Sequence, residues 1–197
     1  MTEENFSPKE SLQLIQSMID KTKQNISDKG IYFLIWGWLT FIACTGQFIL
    51  KHIMDYPKHY YVWWLTIVGI VLTIYYASRE RKRAQVKTYV GESMRYLWIG
   101  MGMAYFVLSL ILAKMGYDIM VFPFYIMLYG LGTFISGCII KFKPLIFGGI
   151  TALILAVVST YTTYDYQMLF GAGAILVSYI IPAYILRARG KEKKVNV

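Results

Sequence analysis

The feature that most constrains this chain is a series of six apolar stretches, each close to the length that crosses a lipid bilayer. A helix of about 20 apolar residues spans the ~30 Å hydrocarbon core. The stretches are 31–53, 60–78, 96–113, 119–140, 144–163 and 166–186. None contains Asp, Glu, Lys or Arg, apart from Lys51 near the end of the first. Because backbone in lipid must hydrogen-bond to itself, the sequence predicts an all-α fold, a six-helix transmembrane bundle.

Composition supports this class and excludes several others. The chain is 57% hydrophobic and 16% charged, whereas a soluble domain is about 45–50% apolar and about 25% charged. A soluble enzyme, a disordered chain and a disulfide scaffold built on 2 cysteines are therefore disfavoured. The first apolar run starts only at Ile31 and exceeds 20 residues, so we expect an uncleaved span rather than a signal peptide.

The segment before the first span has an amphipathic pattern. Leu12, Ile15, Ile19 and Ile26 recur on one helical face. We therefore divide the chain into a cytoplasmic amphipathic helix at 1–30, a transmembrane domain at 31–186 and a basic cytoplasmic tail at 187–197. Two interpretations of the N-terminal helix stay open: it lies along the inner leaflet, or it docks a partner or a second copy.

The distribution of basic residues predicts the orientation. Of the 20 Lys and Arg residues, only Lys51, Lys58 and Lys114 fall on one side of the threading. The rest fall on the side of both termini, which the positive-inside rule assigns to the cytoplasmic side of the cell membrane. The net charge of +9 is thus a topology signal, and no nucleic-acid partner is expected. Arg79, Arg81, Lys82 and Arg83 are the candidate contacts to anionic lipid headgroups of the inner leaflet.

Internal similarity predicts three tandem antiparallel helix hairpins. Gly37 and Gly100 are 63 residues apart, as are Gly69 and Gly132. The same spacing separates Asp55 from Asp118, and Asp165 occupies the outer turn of a more compact third hairpin. Lipid tails are as apolar as leucine, so membrane helices associate through close packing of small residues. We expect such packing at Gly148, Ala152 and Ala156, at Gly100 with Ala104, and at Gly132 with Ser136.

Residues that carry chemistry are few. No span contains a charged catalytic pair, a histidine other than His52 at the end of the first, or a nucleotide, zinc or redox motif. No enzymatic activity and no cofactor are therefore expected. His52, Met54 and His59 are residue types that copper prefers, but the chain has 10 methionines, most of which fill apolar space. Gln47, Asp55, Asp118 and Asp165 form a candidate outward ligand site, and the commoner alternative is that these acids are solvated loop residues.

Three resemblances accompany this interpretation. The stretches 12–23, 32–38, 130–137 and 142–149 resemble small uncharacterised six-span inner-membrane proteins of bacteria. The paired glycine-marked arms are loosely similar to the three-hairpin acid-resistance membrane proteins, which lack so long an N-terminal helix. In size and span count the chain is also similar to the substrate-capture subunits of energy-coupling-factor vitamin transporters. The sequence thus predicts a non-enzymatic accessory or regulatory membrane protein that binds a protein partner, lipid or a second copy of itself. The alternative is a subunit that binds or transports a small solute or a lipid.

Overall fold

A computed structural model describes residues 30–83, 89–115 and 121–195, with side chains other than those of 80–83 and 189–195. All regular structure in these ranges is helical. The helices are α1 (Gly30–Ile53), α2 (Leu65–Arg83), α3 (Tyr89–Met115), α4 (Val121–Ile139), α5 (Lys143–Ser159) and α6, which starts at Tyr164. The predicted N-terminal amphipathic helix falls outside the described residues, and so does Asp118.

Two of these helices depart from ideal α geometry. The last turn of α1, Ile49–Ile53, is π-helical, and a 3-10 helix over His59–Trp64 leads into α2. The long helix α6 is α-helical over Tyr164–Ile175, passes through a π turn at Leu176–Ile180 and continues as Ile181–Val195. Proline lacks a backbone N–H, and the π turn ends just before Pro182, where Ile181 N–H donates to Leu176 O.

Within the described ranges, five helices are long and apolar enough to cross a membrane. The helix α5 is shorter, with 17 residues, which at 1.5 Å per residue is about 25 Å. The coarse prediction of an all-helical chain with several membrane-crossing helices is therefore confirmed. The helix α3 begins at Tyr89, well before the predicted span at 96, because Glu92 and Arg95 continue the helix beyond the apolar stretch.

The first and last described helices, α1 and α6, are antiparallel neighbours. A Cβ atom added at Gly30 would lie 3.0 Å from Arg187 Cγ, and one added at Gly171 would lie 3.3 Å from Cys44 Sγ. Between these contacts, Gly37 faces the π turn of α6. These small residues of α1 recur every seven positions, so one face of the helix approaches α6 along its length.

The closest backbone approach joins α4 to α5. A Cβ atom at Gly149 would lie 2.6 Å from Phe134 N, and one at Gly137 would lie 2.7 Å from Ile146 N. The turn between the helices is short, with Lys141 in the left-handed conformation at φ 54°. Phe142 N–H donates to Gly137 O at 2.9 Å, which satisfies a carbonyl at the end of α4. The predicted hairpin scheme had placed these two helices in different hairpins.

Helices α2 and α3 lie at the periphery of the bundle. In the most apolar stretch of each of these helices, only 6% and 11% of the residues are buried, against 56% in the corresponding stretch of α6. The indole Nε1–H of Trp36 donates to Thr73 Oγ1 at 3.0 Å, which ties α2 to α1. Met101 of α3 covers Gly132 of α4. The core is therefore formed by α1, α4, α5 and α6.

The predicted repeat has mixed support from the packing. Gly69 faces Trp36 of the preceding helix, and Gly132 faces Trp98 in the same way. Gly37, however, packs against α6, whereas Gly100 has open space around it. The small-residue ridge of α5 packs as expected, because Gly148 contacts the π turn of α6 and its companion alanines are buried. The repeat itself remains a prediction.

Candidate functional site

The main polar site lies where the end of α1 meets the start of α6 and the 3-10 helix. Gln47 is 2% exposed there. Trp63 Nε1–H donates to Gln47 Oε1 at 2.6 Å. The Gln47 Nε2 amide lies 3.0 Å from His59 Nδ1 and donates to Tyr164 Oη at 3.3 Å. We call Gln47, His59, Trp63 and Tyr164 the Gln47 cluster.

The indole of Trp63 fixes how the amide of Gln47 is oriented. An indole N–H is a donor only, so the atom that faces it must be the amide oxygen. The amide nitrogen then faces His59 and Tyr164, and both of its hydrogens are used. Since an amide nitrogen cannot accept, His59 Nδ1 must be the acceptor. His59 is therefore neutral in this arrangement, with its proton on Nε2.

An ion-pair group lies next to the Gln47 cluster. Lys51 Nζ and His52 Nδ1, both in the π-helical end of α1, each lie 3.0 Å from a carboxylate oxygen of Asp165. The Lys51 ammonium also lies 4.0 Å from the centroid of the Tyr164 ring. The side chains of Lys51 and Asp165 are 33% and 26% exposed, and exposed pairs contribute about 0–1 kcal/mol. The ion-pair group therefore contributes little to the free energy of unfolding, and its main effect is to align α1 with α6.

The candidate outward ligand site is only partly assembled. Gln47 and Asp165 are brought close together, through Tyr164 and Lys51, but protein groups already occupy both side chains. Asp55 lies on the exposed connection after α1, with φ 49°. Of these candidates the structure thus brings Gln47 and Asp165 near one another, each engaged by protein groups, and leaves Asp55 exposed on the connection.

The copper candidates are directed to different partners. His52 pairs with Asp165, whereas His59 faces Gln47. Met54 is 65% exposed on the connection. In the part of the chain that the structure describes, no three His, Cys, Asp or Glu residues are grouped as metal ligands.

A small cavity lies beneath Trp63, between the Gln47 cluster and the centre of the bundle. Its volume is about 20 Å³, which is room for about one water molecule. Thr40, Cys44, Phe122 and Tyr129 contribute to its lining. Thr40 Oγ1 and Tyr129 Oη lie 3.0 Å apart, so these two hydroxyls satisfy each other inside the bundle.

The hydroxyl of Tyr105 on α3 differs from that of Tyr125 on α4, the ring against which it stacks. Its oxygen is buried and has no hydrogen-bond partner among the described residues, whereas Tyr125 Oη lies 2.7 Å from Ser109 Oγ. A buried unpaired hydroxyl costs about 1–3 kcal/mol, and a paired one contributes about 1 kcal/mol.

We expect Tyr105→Phe to leave stability unchanged or to raise it by about 1 kcal/mol, because it removes an unpaired polar group. Tyr125→Phe is the matched variant, and we expect it to lower stability by about 1 kcal/mol. Thermal unfolding of both variants in one detergent measures the difference. A loss in Tyr105→Phe as large as that in Tyr125→Phe would contradict this account.

The basic residues are separated between the two ends of the bundle. Arg79 is exposed near the end of α2, while the side chains of the other headgroup candidates, Arg81, Lys82 and Arg83, lie outside the described set. At the bundle end that contains Gly30, Lys141 and Lys143 flank the turn between α4 and α5. This end therefore carries the described part of the predicted basic surface.

Comparison with known proteins adds no relative: no protein family, curated protein or solved structure matches this chain.

Sequence reasoning did not find the Gln47 cluster as a unit. It assigned Gln47 to a ligand site and His59 to the copper candidates, and it did not single out Trp63. The sequence did contain a signal for this cluster. A glutamine lies near the end of an apolar stretch, and the loop that follows contains both histidine and tryptophan. What the cluster does chemically is to join the end of α1 to the 3-10 helix and to α6 through the amide of Gln47, whose oxygen and nitrogen are both hydrogen-bonded.

Proposed function

We propose that this chain is a six-span integral membrane protein without enzymatic activity, and that it acts as an accessory or regulatory component of a bacterial cytoplasmic membrane. Its N-terminal helix and basic residues contact a protein partner or anionic headgroups at the cytoplasmic face. The observation that carries this proposal is the closed end of the bundle. Gln47 and Asp165 are engaged by protein groups, and the adjacent cavity has room for about one water molecule.

The threading is supported by how the helices alternate. Successive helices run antiparallel, and α5, at about 25 Å, is within the range of transmembrane helix lengths. The described basic side chains near the Gly30 end are Arg79, Arg95, Lys141, Lys143 and Arg187, and those near the Ile53 end are Lys51, Lys58 and Lys114. By the positive-inside rule the Gly30 end faces the cytoplasm, together with both termini.

The hairpin arrangement is part of the same proposal. Trp36 joins α1 to α2, and Met101 joins α3 to α4. Gly148 brings α5 against α6. Each proposed hairpin thus has a close contact between its two arms, and the contacts of α1 with α6 and of α4 with α5 join the hairpins into one bundle.

The alternative function, a solute- or lipid-binding transport subunit, requires a polar cavity open to the outside. Of the side chains expected to line it, Gln47 is bonded to His59, Trp63 and Tyr164, and Asp165 is paired with Lys51 and His52. This arrangement favours an accessory role over transport.

The proposal is tested by native mass spectrometry after purification in mild detergent. We expect wild type to retain a protein partner, a second copy or anionic lipid. Changing Leu12, Ile15 and Ile19 together to Ser removes the apolar face of the N-terminal helix. The expected result is at least a roughly tenfold loss of the retained species, equivalent to ~1.4 kcal/mol of binding.

The matched control changes Gln13, Gln16 and Gln24 to Ser on the same segment, and we expect it to retain the bound species. Retention of a small solute by wild type and both variants alike would contradict the accessory role and favour the transport alternative.

A further inference from the structure

The short helix in the connection between α1 and α2 is held against α1 through the amide of Gln47. His59 begins the 3-10 helix that carries Trp63, and both residues bond to Gln47 of α1. Val62 of the same short helix faces Gly46. The position of this helix over the end of the bundle therefore depends on the hydrogen bonds that Gln47 makes.

Protonation of His59 is incompatible with these bonds. A protonated imidazole donates from both nitrogens, so Nδ1–H would face the Gln47 Nε2 amide, which is also a donor. Rotating the amide of Gln47 by half a turn would bring oxygen to His59, but it would also bring the amide nitrogen against the Trp63 N–H. Neither orientation of the Gln47 amide at this position therefore satisfies both Trp63 and a protonated His59.

We propose that the Gln47 cluster is a pH-sensitive latch, in which protonation of His59 releases the His59–Trp64 helix from α1 and uncovers the cavity beneath Trp63. This inference goes beyond the proposed function and does not depend on it.

The environment of His59 determines whether the latch is more stable at high or at low pH. Partial burial of the imidazole lowers the pKa of His59 and the Lys51 ammonium on α1 lowers it further, whereas Asp165 on α6 raises it while being already paired with Lys51 and His52. Tyr164 on α6 uses its oxygen to accept from Gln47, and Tyr60 meets the imidazole with its ring. The closed state binds the proton less well than the open state, so the latch is more stable at higher pH and weakens as the pH falls through the histidine range.

The residues that line the cavity indicate what becomes exposed when the latch opens. Trp63 forms one wall, and the opposite walls come from α1, α4 and α6. Moving the 3-10 helix away therefore opens this space toward the solvent at the Ile53 end. The change in environment is largest for the Trp63 indole, which loses both its hydrogen bond and its contact with Phe122.

The test uses the full chain, labelled with 5-fluorotryptophan, in detergent micelles and observed by ¹⁹F NMR. The chain has 5 tryptophans, and Trp63→Phe serves only to assign the Trp63 resonance. Between pH 8 and pH 5, across the titration range of histidine, we expect the Trp63 resonance of wild type to move toward that of a solvent-exposed indole. In His59→Asn the amide oxygen still accepts from Gln47 but does not titrate, and we expect no movement.

Two further variants keep the test decisive. His52→Asn removes the other imidazole, and we expect it to retain the movement of the Trp63 resonance. In Gln47→Glu, a carboxylate accepts from Trp63 and from a His59 Nδ1–H that both the neutral and the protonated imidazole can supply, so the latch should stay closed as the pH falls and the resonance should not move. The proposal is overturned if wild type and His59→Asn respond to pH equally, or if the Trp63 resonance of wild type does not move.

Discussion

Replacing Gly149 with Ala is expected to destabilise the bundle by about 3 kcal/mol, at the upper end of the cost of overpacking. The added Cβ atom would lie 2.6 Å from the backbone nitrogen of Phe134 and 2.7 Å from its Cα atom. A side chain could rotate away from such a contact, but a helix backbone cannot. The two helices must therefore separate, and the close packing that replaces the hydrophobic effect inside a membrane is lost.

The matched control for this variant is Gly100→Ala on α3. Gly100 has no neighbouring atom within 4 Å of an added Cβ. Alanine is the better helix former by about 0.5–1 kcal/mol, so the control should be neutral or slightly stabilised. Unfolding of both variants in SDS-containing mixed micelles measures the difference. Equal behaviour of the two variants would mean that α4 and α5 are not in backbone contact.

Replacing Gln47 with Met is expected to cost about 2–3 kcal/mol, because the side chain keeps its length but loses every hydrogen bond. The Trp63 N–H is then left without its acceptor, and an unsatisfied buried donor costs about 1–3 kcal/mol. His59 and Tyr164 also lose their contacts with the amide. They recover part of this loss from water, because both lie near the end of the bundle.

Thr45→Val is the control, two residues away on the same helix. The Thr45 hydroxyl donates to Phe41 O at 2.7 Å, within its own helix, so we expect a change within about 0.5 kcal/mol. Thermal unfolding of both variants at pH 8, where His59 is neutral in the closed latch, measures the costs. A similarly small effect in Gln47→Met would mean that the hydrogen bonds of the Gln47 cluster do not hold the 3-10 helix against α1.

The small-residue packing of α5 and the Gln47 cluster differ in how far the sequence predicted them. Gly148, Ala152 and Ala156 were predicted to pack from their spacing, and they are buried. The partner of that ridge was not predictable, because a row of small residues indicates close approach without naming the helix that approaches. For Gly100 the same reasoning predicted a contact that the described chain does not make.

The Gln47 cluster was harder to foresee for a similar reason. Gln47 and His59 were noticed separately, yet Gln47 and Tyr164 are 117 positions apart in the chain. Their meeting depends on α1 and α6 being neighbours. Hydropathy does not encode that pairing, since any apolar helix face is equally compatible with lipid.

The amino-acid sequence by itself determined that this chain is helical, where its apolar stretches lie, and which of their ends share basic residues, although α3 and α6 extend past the predicted bounds by seven and nine residues. Those properties follow from the cost of charge and of unpaired backbone in hydrocarbon, which acts on each segment separately. Only the tertiary structure decided which helices form the core, which glycines meet a neighbouring backbone, and which groups share hydrogen bonds with Gln47. Those properties depend on shape complementarity between distant segments, where lipid gives no preference and a few tenths of an ångström decide whether two helices fit.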